Sequence, residues 1–533
     1  MKKTTPLLSL PLLCFVLAGC ATADHQVPAP SPLYNVRSFG AIGDGKTLDS
    51  PAINRAINAA AAAGGGTVDL PGGTYLSGSI ELKSNIHLLL EAGATILAAP
   101  QSLNAYDQEE PFQGRAYQDG GHTFFHNSLI WGENLTNVSI TGQGLINGAG
   151  LSSGDGNEDR VDGFGGGRGG PPPALGTNNI TSPGARLGNK AIALKLCRNV
   201  LLRDITIIHG GHFAILVTGC DNLTVDNVTM DTNRDGIDID CCRNTMVSNC
   251  RINSPQDDGL CPKSSFALGS NVITENLTIV NCQVSGFQQG TMLDGTMKPW
   301  HVPAPVGQGR IKLGTEANGG FRNITIANCA FRGCKGLALE EVDGGIMENI
   351  TVNNITMMDV VNCPIYITTG KRNRGPNITE PSRARNIFIS NIVASGIDWQ
   401  SGIQIEGMPD LPIENVRLAN IRLQFKGGGT TNDAARNPVE LGTRYPDPGS
   451  LGVMPSYGLF ARHVKGLELA NVTLGFDTQD SRPAMVAEDV DGLEIDHFKA
   501  QLAPNVAPAR LEAVKGLVVL DSPLLLGLEG SKP

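Results

Sequence analysis

The sequence predicts an all-β protein, a single-stranded right-handed parallel β-helix with a short N-terminal capping helix. Three observations point to it. Glycine supplies 66 of the 533 residues while only 17% are charged and 5% aromatic, which favours short strands and turns over long amphipathic helices. Short runs of β-branched residues alternate between Gly and Asn along the whole chain. A degenerate unit, Asn followed by alternating apolar residues and then Asn or Asp, recurs as Asn199 to Asp204, Asn222 to Asn227 and Asn244 to Asn249.

The unit returns at Asn276, Asn323, Asn349, Asn386 and Asn415, and in weaker form at Gly466 to Asn471. Its first intervals are 23 and 22 residues and later ones lengthen to between 26 and 51. A period near 22 carrying two or three short strands suits one coil of such a helix. Stacking at the ~4.8 Å strand spacing buries apolar edges that a single coil cannot. Asn fits the turns because it tolerates left-handed φ and its amide can bond the same Asn one coil away. The longer intervals are read as coils with surface loops, which cluster on a binding side.

Taken in order, residues 1–19 read as an export signal. Lys2 and Lys3 precede an apolar run, and Leu17-Ala18-Gly19-Cys20 resembles a bacterial lipobox. Cys20 is then the expected lipidation site, tethered by residues 20–35, and the protein is expected outside the cytoplasm, in the periplasm or at the cell surface, as an outer-membrane lipoprotein. An ordinary cleaved signal with a fortuitous Cys is the alternative. No later run reaches ~18 apolar residues. The β-helix is expected over 36–525, with a helix at Pro51 to Ala63 covering its open edge. A flexible Gly/Pro-rich loop is expected at 151–190 and a tail at 526–533. Cys250, Cys282 and Cys329 share one slot of the repeat, which favours a stack of buried thiols, with a Cys329–Cys334 disulfide as the competing reading.

Forty-one basic against 51 acidic residues give a formal charge of −10, which argues against nucleic acid as a partner. No cofactor and no metal are expected.

The candidate chemistry lies in two consecutive coils, Asn233-Arg234-Asp235-Gly236-Ile237-Asp238 and Gln256-Asp257-Asp258-Gly259. Asp257 follows Asp235 by 22 residues, one coil, so Asp235, Asp257 and Asp258 are expected on one face. Crowded carboxylates raise one another's proton affinity. One can then serve as a general acid while the others orient a water, as inverting glycoside hydrolysis requires. Neighbours on a regular strand face opposite ways, so Asp257 and Asp258 share the cleft only if Gly259 marks a bulge or turn. An isolated turn aspartate usually bonds nearby backbone, and a calcium site is the other competitor.

On these residues the chain resembles glycoside hydrolase family 28, the polygalacturonases and rhamnogalacturonan hydrolases, from about Phe39 to at least Asn505. The family's Asn-Thr-Asp-Gly-(Ile/Phe)-Asp is similar to Asn233 to Asp238, its Gly-Asp-Asp-Cys to Gln256 to Gly259, and Lys263-Ser264 matches a Lys-Ser common in bacterial members. Thr141 to Gly148 also fits. The resemblance implies a pectin-lyase-like solenoid that cleaves pectin-derived chains containing galacturonate or rhamnose. It implies Asp257 as the acid, Asp235 and Asp258 as holders of the water, and Asn233, Asp238 and Lys263 as substrate-binding. The family's Gly-His-Gly is missing; Gly286-Phe287-Gln288-Gln289-Gly290 stands in its coil.

The family's Arg-Ile-Lys, which grips a uronate carboxylate, occurs as Arg310-Ile311-Lys312, 52 residues after Asp258. Counting coils instead places Gly336 to Glu340 in that slot, where Glu340 would repel a uronate and favour a neutral sugar. Arg310 and Lys312 share a strand face and are candidate substrate ligands, with pairing to carboxylates such as Glu316 as the alternative. His212, one coil before Asp235, is a further candidate, and Trp300 with His301 is a candidate sugar-stacking wall. Long loops that close one end of the cleft would give exo action. A Ca²⁺-dependent lyase on the same scaffold and a non-catalytic adhesin are the competing functions.

Overall fold

The computed structural model describes Met1 and residues 32–111, 120–152, 188–302, 304–305, 308–376, 378 and 380–527. The rest of the expected signal segment, Cys20, most of the tether, most of the 151–190 loop and residues 528–533 lie outside the described residues. From Leu33–Asn35 to Val518–Leu520 the chain winds as a right-handed parallel β-helix. A typical coil has three strands, Asp235–Asp240, Arg243–Ser248 and Arg251–Asn253. These pair in parallel with Leu260–Lys263, Thr274–Val280 and Gln283–Ser285 of the next coil. Alternation sends Ile237, Ile239, Val247, Ile252, Leu260 and Ile279 into one continuous core, where each is fully buried. Burying such a side chain contributes ~1.5–3 kcal/mol, and the core repeats it coil after coil.

The turns are held by the expected asparagines. Asn199 Nδ2 donates to Asn137 Oδ1 at 2.8 Å and Asn222 Nδ2 to Asn199 Oδ1 at 2.8 Å. The series runs on through Asn323, Asn349, Asn386 and Asn415 at 3.1–3.2 Å. These residues have φ near +55°, a left-handed conformation Asn adopts at little cost. The series ends where Gly466 takes the slot at φ +75°, since glycine has no side-chain amide to bond Asn415.

The capping helix spans Ser50–Ala62, one residue earlier than predicted, and buries Ala52, Ile53, Ala56, Ile57 and Ala60. The ten cysteines from Cys197 to Cys363 are all buried and unbridged, so Cys329 and Cys334 form no disulfide.

One sheet carries side chains on its outer face that other segments cover. On the N-terminal side Phe125 and Trp131 pack on Ala193, Phe213 and Leu216. On the C-terminal side Leu441, Leu451 and Met454 pack on Val342, Phe460 and Val486. Between these apolar patches the same outer face is densely charged.

Candidate active site

Asp235 opens the strand Asp235–Asp240. Asp257 and Asp258 lie in the turn before Leu260–Lys263. The turn is what lets neighbouring aspartates share one side, as the sequence required: Asp257 Oδ1 accepts from Asp258 N at 3.0 Å. Gly236 and Gly259 let the coils close here. A Cβ on Gly236 would meet Gly259 O at 2.3 Å, and one on Gly259 would meet Gly309 O at 2.8 Å. Asp235, Asp257 and Asp258 each offer a carboxylate oxygen within 4.8 Å of the others.

Their environments differ. Asp258 is buried, with Oδ1 2.8 Å from Arg310 Nε and Oδ2 against Lys312 Nζ. Burial disfavours its charge, but Lys312 and Arg310 outweigh that and hold its pKa far below the usual carboxylate range. Asp235 is equally buried and has no such cation; burial first, then Asp238 and Asp257, push its pKa well up. Asp257 is the member open to the cleft, its side chain 33% exposed, with Oδ2 3.3 Å from Arg234 Nη2. A metal ion drawn to these oxygens would meet the two cations already neutralising Asp258.

The other expected residues surround the trio. Asp238 is buried between Lys263, at 3.0 Å, and His122, at 3.4 Å. Burial opposes the charge on Lys263, but Asp238 and Glu316 overcome it and raise its pKa well above the usual lysine value. Asn233 Oδ1 is a buried acceptor without a partner among the described residues. His212 is buried one coil earlier, its ring 4.5 Å from Phe213 and its backbone held by Asn189 O at 2.8 Å. Trp300 is half-buried in its insertion, whereas the His301 side chain falls outside the described residues.

Arg310, Ile311 and Lys312 follow the Asp258 coil directly, since Leu260 bridges to Ile311. The register by distance therefore holds, and Glu340 sits one coil further on, where Lys312 pairs with Ala338. Both readings meet in space: Arg310 Nη2 is 3.4 Å from Glu340 Oε1. Arg310 and Lys312 do not present free cations to the cleft as expected; buried acids hold both.

Sequence reasoning missed the contributions of distant loops. Between Gly427 and Leu459 the chain returns over the site, bringing Asp447 to 2.6 Å from Lys335 Nζ and Tyr445 Oη to 3.0 Å from Thr315 Oγ1. The Tyr445 ring centre lies 6.0 Å from both Lys312 Nζ and the Arg372 guanidinium. The 51-residue interval from Asn415 to Gly466 was the available signal for this wall. His122 arrives from the helix Gly120–Thr123, outside the Asn-turn repeats, and no spacing announced it.

Comparison with known proteins agrees with this architecture. A family model described as a right handed beta helix region matches residues 118–298. Another, described as rhamnogalacturonase A/epimerase, pectate lyase-like, matches residues 33–160. The chain is 24% identical over 411 residues to a probable polygalacturonase of Vitis vinifera, covering 73% of each protein. It is 26% identical over 469 residues to the exo-poly-alpha-D-galacturonosidase of Dickeya chrysanthemi, covering 75% of this chain and 73% of that one. These relatives support the resemblance to glycoside hydrolase family 28. Among solved structures, the hyperthermoactive exopolygalacturonase from Thermotoga maritima superposes with a TM-score of 0.60 at 21% identity, over 84% of this chain and 92% of that one. That likeness carries the fold.

Proposed function

We propose that the protein is an inverting glycoside hydrolase acting on pectin-derived chains. The observation that carries this reading is the trio itself: Asp258 clamped by two cations, Asp235 buried beside it, and Asp257 open to the cleft. Relatives named polygalacturonase and exo-poly-alpha-D-galacturonosidase support the substrate class. Asp257 donates a proton to the leaving oxygen, because it alone of the three is accessible to it. Asp235 and Asp258 hold the attacking water, and loss of the acid or of the water's base removes ~10²–10⁴-fold in rate. Export and anchoring through Cys20 belong to the same proposal, as does exo action, which the wall around Tyr445 and Asp447 favours by crowding one side of the cleft.

The test is product analysis on homogalacturonan and rhamnogalacturonan oligosaccharides. The proposal expects new reducing ends without an unsaturated product, insensitive to chelator. Unsaturated product that chelator abolishes would instead establish a lyase. No change in either substrate would favour a binding protein.

A further inference from the structure

From the charges packed behind the trio we infer that Glu340 is a positioning residue of the reaction, acting on Asp258 through Arg310. The inference rests on the hydrolase reading above and deepens it. Glu340 lies on the strand Lys335–Glu341, which stacks on the coil of Lys312. Gly314 lets the two coils close, since a Cβ there would meet Glu340 O at 2.5 Å. The Glu340 side chain is 0% exposed, so it has no surface to offer a substrate. It lies against Arg310 instead. One end of that guanidinium holds Asp258, Nε to Oδ1 at 2.8 Å; the other end, Nη2, lies 3.4 Å from Glu340 Oε1 and 3.9 Å from Asp447 Oδ2.

A guanidinium is a rigid plane with its donors in a fixed fork, so fixing Nη2 also fixes where Nε points. Glu340 thereby sets how Arg310 meets Asp258, a carboxylate assigned to the attacking water, and the rate depends on how closely that group is held to its productive geometry. Lys312 holds the other Asp258 oxygen. A side chain that merely filled this space would not need a carboxyl: burying one is costly, and Glu340 Oε2 has no hydrogen-bond partner among the described residues. The charge is also variable. Burial raises the Glu340 pKa from 4.5 to about 7 against the pull of Lys312 and Arg310, with Asp258 and Asp447 adding to the rise. Tyr366 faces it from the next coil and Tyr445 from the returning loop. Ionised Glu340 holds the far end of Arg310 and leaves Asp258 the stronger base, whereas protonated Glu340 leaves Arg310 to Asp258. Turnover therefore gains as Glu340 loses its proton.

The experiment measures kcat and KM against pH for the wild type and Glu340→Gln, on whichever of the two oligosaccharides above the wild type cleaves, with circular dichroism on the same preparations. Glu340→Gln should keep the fold, lower kcat by about tenfold or more and leave KM within about twofold. The wild-type rise of kcat through the Glu340 ionisation should be missing from its profile. Arg310→Lys, which leaves Glu340 in place but removes the fork, gives a second reading. It should lose the same ionisation, and adding Glu340→Gln to it should lower kcat by less than about twofold more. Unchanged kcat, an effect confined to KM, a fall that leaves the wild-type ionisation in place, or full additivity with Arg310→Lys would each overturn the inference. A wild type that cleaves neither oligosaccharide would sink the hydrolase reading and this inference together; any of the other failures, with an active wild type, sinks this inference alone.

Discussion

Asp258 lies between Arg310 and Lys312, its Oδ1 2.8 Å from Arg310 Nε and its Oδ2 against Lys312 Nζ, with all three side chains buried. Leaving a buried charge without its partner costs ~3–5 kcal/mol. Lys312→Met should sit near the lower end of that range, since Arg310 remains, and denaturant unfolding measures it. The pKa of Asp258 is held below its ordinary 3.8. The clamp's contribution is therefore complete above that value and is lost as pH falls through the folded pKa. Acid unfolding of Lys312→Met should accordingly start at a higher pH than in the wild type.

Glu406 has the opposite sign. Burial pushes its pKa from 4.5 to about 8, with only partial relief from Arg462. Between those values the unfolded chain releases the proton while the folded one keeps it, so this group costs stability increasingly as pH rises from about 4.5 to about 8. Glu406→Gln removes that cost. Its melting temperature should rise relative to wild type across this window, by an amount equivalent to roughly 2–4 kcal/mol above it. A constant difference at all pH values would contradict the assignment.

The Asn series makes a prediction away from the site. Asn323 has φ +55° and bonds Asn276 below and Asn349 above at 3.2 and 3.1 Å. Asn323→Ala loses both bonds and strains the backbone, which should cost about 1–3 kcal/mol. Asn323→Gly keeps the conformation and should cost less. Thermal unfolding orders the two, and turnover should be unaffected in both.

These cases show what the sequence made legible. The coil repeat could be read because stacking demands the same residue at the same turn, so Asn199, Asn222 and Asn323 carry the period on their face. The 22-residue step from Asp235 to Asp257 followed from that period. The Arg310 and Glu340 readings competed because the insertion between Ser285 and Arg310 blurs the coil count, and the structure places both residues in contact. Pairing of the buried charges was not legible. That Asp447 and Tyr445 reach the site depends on a loop that folds back across several coils and carries no periodic signal.

The acid–base roles predict that Asp257→Asn keeps the fold, because removing one of three crowded carboxylates relieves repulsion. Turnover should nevertheless fall by ~10²-fold or more. Circular dichroism and initial rates on the same preparation separate the two effects. A loss of turnover that tracks loss of fold would make Asp257 structural.

The most direct test is the anomeric configuration of the first-formed sugar. If Asp257 protonates the leaving oxygen while Asp235 and Asp258 hold water on the opposite face, the product must have the configuration opposite to that of the cleaved bond. Proton NMR in the first minutes, before mutarotation, reads it. Inversion is the result expected; retention would mean that one of these aspartates attacks the sugar itself and that the assigned roles are wrong.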